Sequence, residues 1–134
     1  MKSIFKLSVR GYELDSFGHV NNAVYLQYAE AAKWDFFYKS GMIDEMKANN
    51  LFPVILENKL RYMHELRMMD CITITTDWKC SGKIISFMQT LFNDTMQQTS
   101  CRISGKLIYT NSERIMCDVP AELIEYLESD GIVD

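Results

Sequence analysis

The sequence predicts an α+β protein in which one long helix is wrapped by a curved antiparallel sheet of about five strands. Three observations carry that expectation. The stretch from Ala23 to Ser40, AVYLQYAEAAKWDFFYKS, is helical in texture and apolar nearly all round. Its polar residues Gln27, Glu30, Lys33 and Asp35 gather on no single face, so the helix asks to be buried on most sides. The second half of the chain is a series of strand-like runs divided by turn signals, and a shorter alternating run precedes the helix.

The elements follow in order. Phe5, Leu7 and Val9 alternate with Lys6, Ser8 and Arg10, a period of two that reads as a strand. Gly11 to Asn22 is polar and turn-forming, with Asp15, Gly18, Asn21 and Asn22. Asn21 or Asn22 is placed to cap the helix start and Gly41 to end it. After a short helical or irregular stretch to about Asn50, Pro53–Tyr62 reads as a strand. Cys71–Cys80 alternates Ile72, Ile74 and Trp78 with Thr73, Thr75, Asp77 and Lys79; Ser81-Gly82 marks a turn. Ile84–Phe92 and Cys101–Tyr109 complete an expected antiparallel meander, joined through the polar segment Asn93–Ser100. Asp118 and Pro120 open a short last helix carrying Leu123, Ile124 and Leu127 on one side.

At 134 residues, with 48% apolar and 24% charged residues, a single packed domain spanning 1–134 is expected, and a disordered chain is excluded. The balance of 14 basic and 18 acidic residues gives a net charge of −4, against a nucleic-acid-binding surface. No apolar run has the length of a membrane span, and Met1–Lys6 lacks the apolar stretch of a secretory signal, so a cytoplasmic location is expected. Cys71, Cys80, Cys101 and Cys117 form no C-x-x-C pair and neither His19 nor His64 neighbours them; reduced core thiols, and no zinc, are expected. Nine methionines read as adaptable filler of core and interface, or as a pliable pocket. A sheet of this kind leaves open edges and a large face, so a homo-oligomer, dimer or tetramer, is expected.

One dense polar constellation stands out, Asp15-Ser16-Phe17-Gly18-His19-Val20-Asn21-Asn22-Ala23-Val24-Tyr25, just ahead of the helix. The first turn of a helix leaves backbone N–H groups without intrahelical partners, and these, with the positive end of the helix dipole, stabilise a developing oxyanion. A carboxylate a few residues upstream supplies a nucleophile or a base for water. The same residues also serve as turn and cap, with Asp15 bonding backbone amides and His19 a hydrogen-bonded loop residue. From spacing alone both readings stand. No nucleophilic-serine elbow, phosphate loop or dinucleotide fingerprint competes.

The stretch VRGYELDSFGHVNNAVYLQYAEAAKWDFF resembles the hot-dog fold thioesterases of the 4-hydroxybenzoyl-CoA thioesterase type, and especially their bacterial long-chain acyl-CoA branch. The likeness is densest from Val9 to Gly41 and looser through NKLRYMHELRMMDCITITTDWKCSGKIISF. It implies a hot-dog fold and hydrolysis of a fatty or aromatic acyl-CoA thioester to free acid and CoA, without a cofactor or metal. The alternatives are hydrolysis of acyl carrier protein thioesters, and a catalytically silent domain that binds acyl-CoA. By resemblance Asp15 is the catalytic carboxylate and the Asn22 main-chain N–H polarises the thioester carbonyl. Gly18 lets the loop approach the substrate, Tyr25 packs at the pocket, and His19 and Val20 join the substrate contacts. Glu30 is a second candidate carboxylate, since a related branch carries its glutamate on this helix. An acyl channel beside the helix would be lined by Tyr25, Tyr28, Ala29 and partner residues. Among Arg61, Lys79, Lys83, Arg102 and Lys106, the residues chosen for CoA phosphate contacts are Arg61 and Lys83. Where the family often has a corner proline, this chain reads Tyr62-Met63-His64-Glu65.

Overall fold

The computed structural model describes residues 1–134. Strand β1 (Lys2–Ser8) leads through a single 3-10 turn at Gly11–Glu13 to helix α1 (Asn22–Lys39), and α2 (Met42–Ala48) follows it. Four long strands come next: β2 (Phe52–Tyr62), β3 (Cys71–Ser81), β4 (Ile84–Asn93) and β5 (Gln98–Thr110). The two-residue strand β6 (Met116–Cys117), helix α3 (Ala121–Glu128) and the two-residue strand β7 (Ile132–Val133) complete the chain. The sheet order is β2-β5-β4-β3-β1-β7, with β6 on β5. β3, β4 and β5 form the expected meander, but β2 lies on the far side of β5 and β1 on the far side of β3. The short β6 and β7 carry no periodic signal in sequence and form by pairing with β5 and β1.

Alternation decides which sheet face meets the helix. Ile72, Ile74, Thr76 and Trp78 of β3, Ile85, Phe87, Gln89 and Leu91 of β4, and Cys101, Ile103, Leu107 and Tyr109 of β5 are all buried. Against them α1 lays Tyr25, Tyr28, Ala29, Ala32, Phe36 and Phe37. Phe36 stacks on Trp78 with ring centres 4.7 Å apart, and the Trp78 indole N–H donates to Ser3 Oγ at 3.0 Å. Gln89 donates from Nε2 to the Ala29 carbonyl at 3.0 Å and to Thr76 Oγ1 at 3.3 Å, a polar tie between sheet and helix.

Two expectations are corrected. The helix is buried on one side rather than most: Leu26, Glu30, Trp34 and Tyr38, successive members of one i+4 row, are all exposed. A single sheet offers one face, and within one chain nothing covers the far side of the helix. Lys33, by contrast, is buried; its ammonium lies 4.2 Å from the Phe87 ring centre and 3.3 Å from Glu30 Oε2. Burial draws its pKa down, with Glu30 opposing the shift. Of the cysteines, all free, only Cys101 is in the core, where burial pushes its thiol up to about 11; Cys71 is exposed, and Cys80 and Cys117 are half-buried.

Gly105 in β5 has a packing reason. Any Cβ there would overlap the Phe87 ring and lie 2.5 Å from the Glu57 carbonyl, beside a bulge where Leu56 drops out of the β2–β5 register. Gly105→Ala is expected to cost about 1–3 kcal/mol, read as a lower urea midpoint at unchanged slope.

Candidate active site

The segment between the 3-10 turn and α1 is a small hairpin. Leu14 bridges Val20, the Asp15 N–H donates to the His19 carbonyl at 2.7 Å, and the Gly18 N–H to the Asp15 carbonyl at 3.1 Å. Gly18 has φ +78°, the left-handed backbone that makes glycine suitable at this turn. Asp15 Oδ1 accepts the N–H groups of Phe17 at 2.9 Å and His19 at 3.1 Å. The turn-forming reading of Asp15 is therefore realised, yet it occupies one carboxylate oxygen; Oδ2 accepts no bond within the chain.

The helix start is arranged similarly. Asn21 is the cap: its Oδ1 accepts the Ala23 N–H at 3.1 Å and its carbonyl accepts the Val24 N–H at 2.9 Å. The Asn22 N–H, first in the helix, has no acceptor within the chain. The loop is fixed to the helix by a buried carboxylate. Glu13 Oε1 accepts the Tyr28 hydroxyl at 2.8 Å and the Arg10 N–H at 2.7 Å, while the Glu13 carbonyl accepts the Asn21 N–H at 3.0 Å.

Asp15, His19, Val20, Asn22 and Tyr25 line one pocket of about 230 Å³ together with Tyr62, Met63, His64 and Glu65. Its second wall is the corner after β2. The Met63 and His64 N–H groups both bond the Ser100 carbonyl, and His64 Nδ1 lies 2.9 Å from the Thr99 carbonyl. The Tyr62 hydroxyl donates to the Asn22 carbonyl at 3.0 Å, and its ring meets Tyr25 edge-on at 5.1 Å. Burial pushes the Tyr25 phenol up to about 12, partly offset by the Leu66 backbone; burial and the Glu13 hydrogen bond push Tyr28 further still. Glu65 Oε2 lies 3.2 Å from His19 Nε2, and its Oε1 takes Arg67 Nη2 at 2.6 Å and Nε at 3.2 Å. Those Arg67 bonds, then the neighbouring His19, hold the Glu65 carboxyl below the usual range.

The structure thus brings five of the sequence-derived residues together and leaves the others elsewhere. Gly18 shapes the turn without lining the pocket. Glu30 faces outward, accepting from the Trp34 indole at 3.0 Å and pairing with Lys33. Arg61 alternates with Tyr62 and so projects from the sheet face opposite the helix. Lys83 sits at the β3–β4 hairpin, 3.7 Å from Asp118, roughly 30 Å along the strands from the pocket end. Tyr28 and Ala29 are in the core, so Tyr25 alone of the expected channel trio reaches the pocket. Sequence reasoning missed Glu13, Tyr62, His64 and Glu65. Only the corner proline's absence drew attention to that region; nothing local marks Glu13, whose partner lies fifteen residues on. No cluster of three or more His, Cys, Asp or Glu is placed to hold a metal ion.

Tyr28→Phe strips the buried Glu13 carboxylate of one donor. A loss of about 1–3 kcal/mol in urea unfolding is expected.

The comparisons agree with this architecture. The family model of the thioesterase-like superfamily matches residues 9–127. The long-chain acyl-CoA thioesterase FadM of Escherichia coli is 38% identical over 71 residues, 53% of this chain and 54% of that protein, so the match spans about half of each. The chloroplastic acyl-acyl carrier protein thioesterase ATL3 of Arabidopsis thaliana is 27% identical over 96% of this chain and 70% of its own length. Among solved structures, YbaW, a probable thioesterase from Escherichia coli, superposes with a TM-score of 0.84 at 28% identity, covering 93% of this chain and 96% of that one. With the family model spanning nearly the whole length and the sheet laid against its helix as in these relatives, the chain belongs to the thioesterase-like superfamily and has the hot-dog fold.

Proposed function

We propose that this chain, as one domain over residues 1–134, hydrolyses acyl-CoA thioesters to the free acid and CoA. One observation carries the proposal. Asp15, with one oxygen held by turn amides and the other uncommitted, shares a pocket with the helix-opening Asn22, whose N–H has no acceptor within the chain.

In the proposed reaction the thioester carbonyl rests on the Asn22 N–H, aided by the positive end of α1. Asp15 either draws a proton from water, which adds to the carbonyl carbon, or adds there itself and is released by water. In both routes the C–S bond breaks, the acid departs and the CoA sulfur leaves with a proton. A thioester is already an activated acyl donor, so this chemistry calls for no cofactor. The FadM likeness favours a long acyl chain; the longer alignment with ATL3 favours carrier-protein thioesters as the second reading. No helix is long and apolar enough to cross a membrane, and four free thiols suit a reducing compartment such as the cytoplasm.

A pocket of about 230 Å³ falls below the roughly 300–1,000 Å³ usual for ligand sites. We propose that a second copy completes it. Edge strand β2 exposes Phe52, Val54 and Leu56 and carries Tyr62 into the pocket wall, so pairing at this edge would set a partner beside the site. A dimer, or a tetramer built from dimers, follows.

Release of free thiol from a panel of acyl-CoAs, in repeated turnovers, tests the main reading. Binding with no turnover on CoA or carrier-protein thioesters would leave only a silent acyl-CoA-binding domain. Asp15→Asn should remain folded and lose about 10²- to 10⁴-fold in kcat; wild-type turnover would remove Asp15 from the mechanism. For the assembly, Val54→Lys should lower the mass found by light scattering to that of one chain, and an unchanged mass would exclude the β2 edge.

A further inference from the structure

We infer that Glu65 is a positioning residue: through His19 it holds the Asp15 turn against the corner after β2, with Arg67 bracing it from the other side. The inference rests on the reading of Asp15 as the reactive carboxylate.

The turn has little else to fix it. Residues 15–19 bond chiefly to one another. Phe17 at its tip is 83% exposed, and apart from its chain neighbours no atom lies within 4 Å of where a Gly18 Cβ would stand, so the core does not pack the turn. Its root is fastened by the Val20 N–H to the Leu66 carbonyl at 2.9 Å and by the His19–Arg67 backbone bridge. Beyond the root, the side-chain contact joining the turn to the rest of the chain is His19 Nε2 to Glu65 Oε2 at 3.2 Å.

That contact leads directly to Asp15. Arg67 holds Glu65 Oε1, Glu65 Oε2 meets the His19 ring, and the backbone N–H of His19 donates to Asp15 Oδ1 at 3.1 Å. The two Glu65 oxygens serve different partners, so neither contact displaces the other. The His19, Glu65 and Arg67 side chains are 36%, 45% and 66% exposed, and ion pairs this open to solvent add little to global stability. The effect of the chain of contacts is therefore on where the carboxylate sits. In a reaction sensitive to misplacement of the order of 1 Å, that is an effect on rate.

The test compares Glu65→Ala, Glu65→Gln and Asp15→Asn with the wild-type protein. It uses thiol release from palmitoyl-CoA, thermal melting, and amide hydrogen exchange of peptides covering residues 15–20. Glu65→Ala should lower kcat about tenfold with KM within about twofold. Its melting temperature should move by less than about 2 °C, while exchange in the turn accelerates. Glu65→Gln keeps an oxygen that accepts from His19 Nε2–H and should restore both kcat and protection. Unchanged exchange in Glu65→Ala overturns the inference whatever kcat does, as does a Glu65→Gln variant as slow as Glu65→Ala. Full turnover by Asp15→Asn would instead overturn the catalytic reading of Asp15, and the exchange comparison would still decide whether Glu65 holds the turn.

Discussion

The Glu13 carboxylate is buried at the junction of loop and helix, where an ionised side chain is tolerated only with its oxygens occupied by donors. Tyr28 supplies one from the second turn of α1, and Arg10 supplies its backbone N–H and, more distantly at 3.5 Å, its guanidinium. Because the Glu13 carbonyl also takes the Asn21 N–H, the chain before the loop is fastened to the residue that caps the helix. The Asp15 hairpin is thereby closed at its base, beside the start of the helix. Without that fastening the pocket would have its residues but no fixed geometry.

The orientation of the helix has its own determinants, and they are polar. Leu26, Trp34 and Tyr38 are as apolar as the residues facing the sheet, so hydrophobicity alone would leave the rotation about the helix axis loosely specified. Gln89 bonding the Ala29 carbonyl and Lys33 lying over Phe87 select one rotation. That rotation sends Tyr25 to the pocket and Tyr28 to Glu13. Core chemistry and site geometry are two consequences of one choice.

This also explains what could be read from the sequence. Strands β1 and β3 follow from their alternation, β2, β4 and β5 from strand-like runs bounded by turn signals, the main helix from its helical texture and its Asn and Gly caps, and α3 from the Pro120 start and its Leu123–Leu127 face. The Asp15-to-Tyr25 constellation was visible because turn formers, a carboxylate and a cap are contiguous. The sequence does not say how many sides of a helix one sheet can cover, so the apolar residues Leu26 and Trp34 read as interior, although both are exposed. Nor does it disclose contacts made through the fold. The corner from Tyr62 to Glu65 joins the Asp15 turn because β2 pairs with β5, across an interval that no local pattern encodes. Charge marks Arg61 and Lys83 in the sequence, with the turn glycine Gly82 beside Lys83, but charge carries no strand parity or position along the sheet.

The eleven-residue β2 edge has a further consequence. A row of unpaired backbone donors and acceptors flanked by Phe52 and Val54 is a template for extended polypeptide of almost any sequence. The bulge at Leu56 and the charged run Glu57, Lys59 and Arg61 break that template into two short stretches, so indiscriminate strand addition meets a mismatch midway. In the proposed pairing a second copy carries the same irregularity at the same place. In the proposed dimer the defect in the ladder would thus work as a password, making self-recognition easier than capture of strangers.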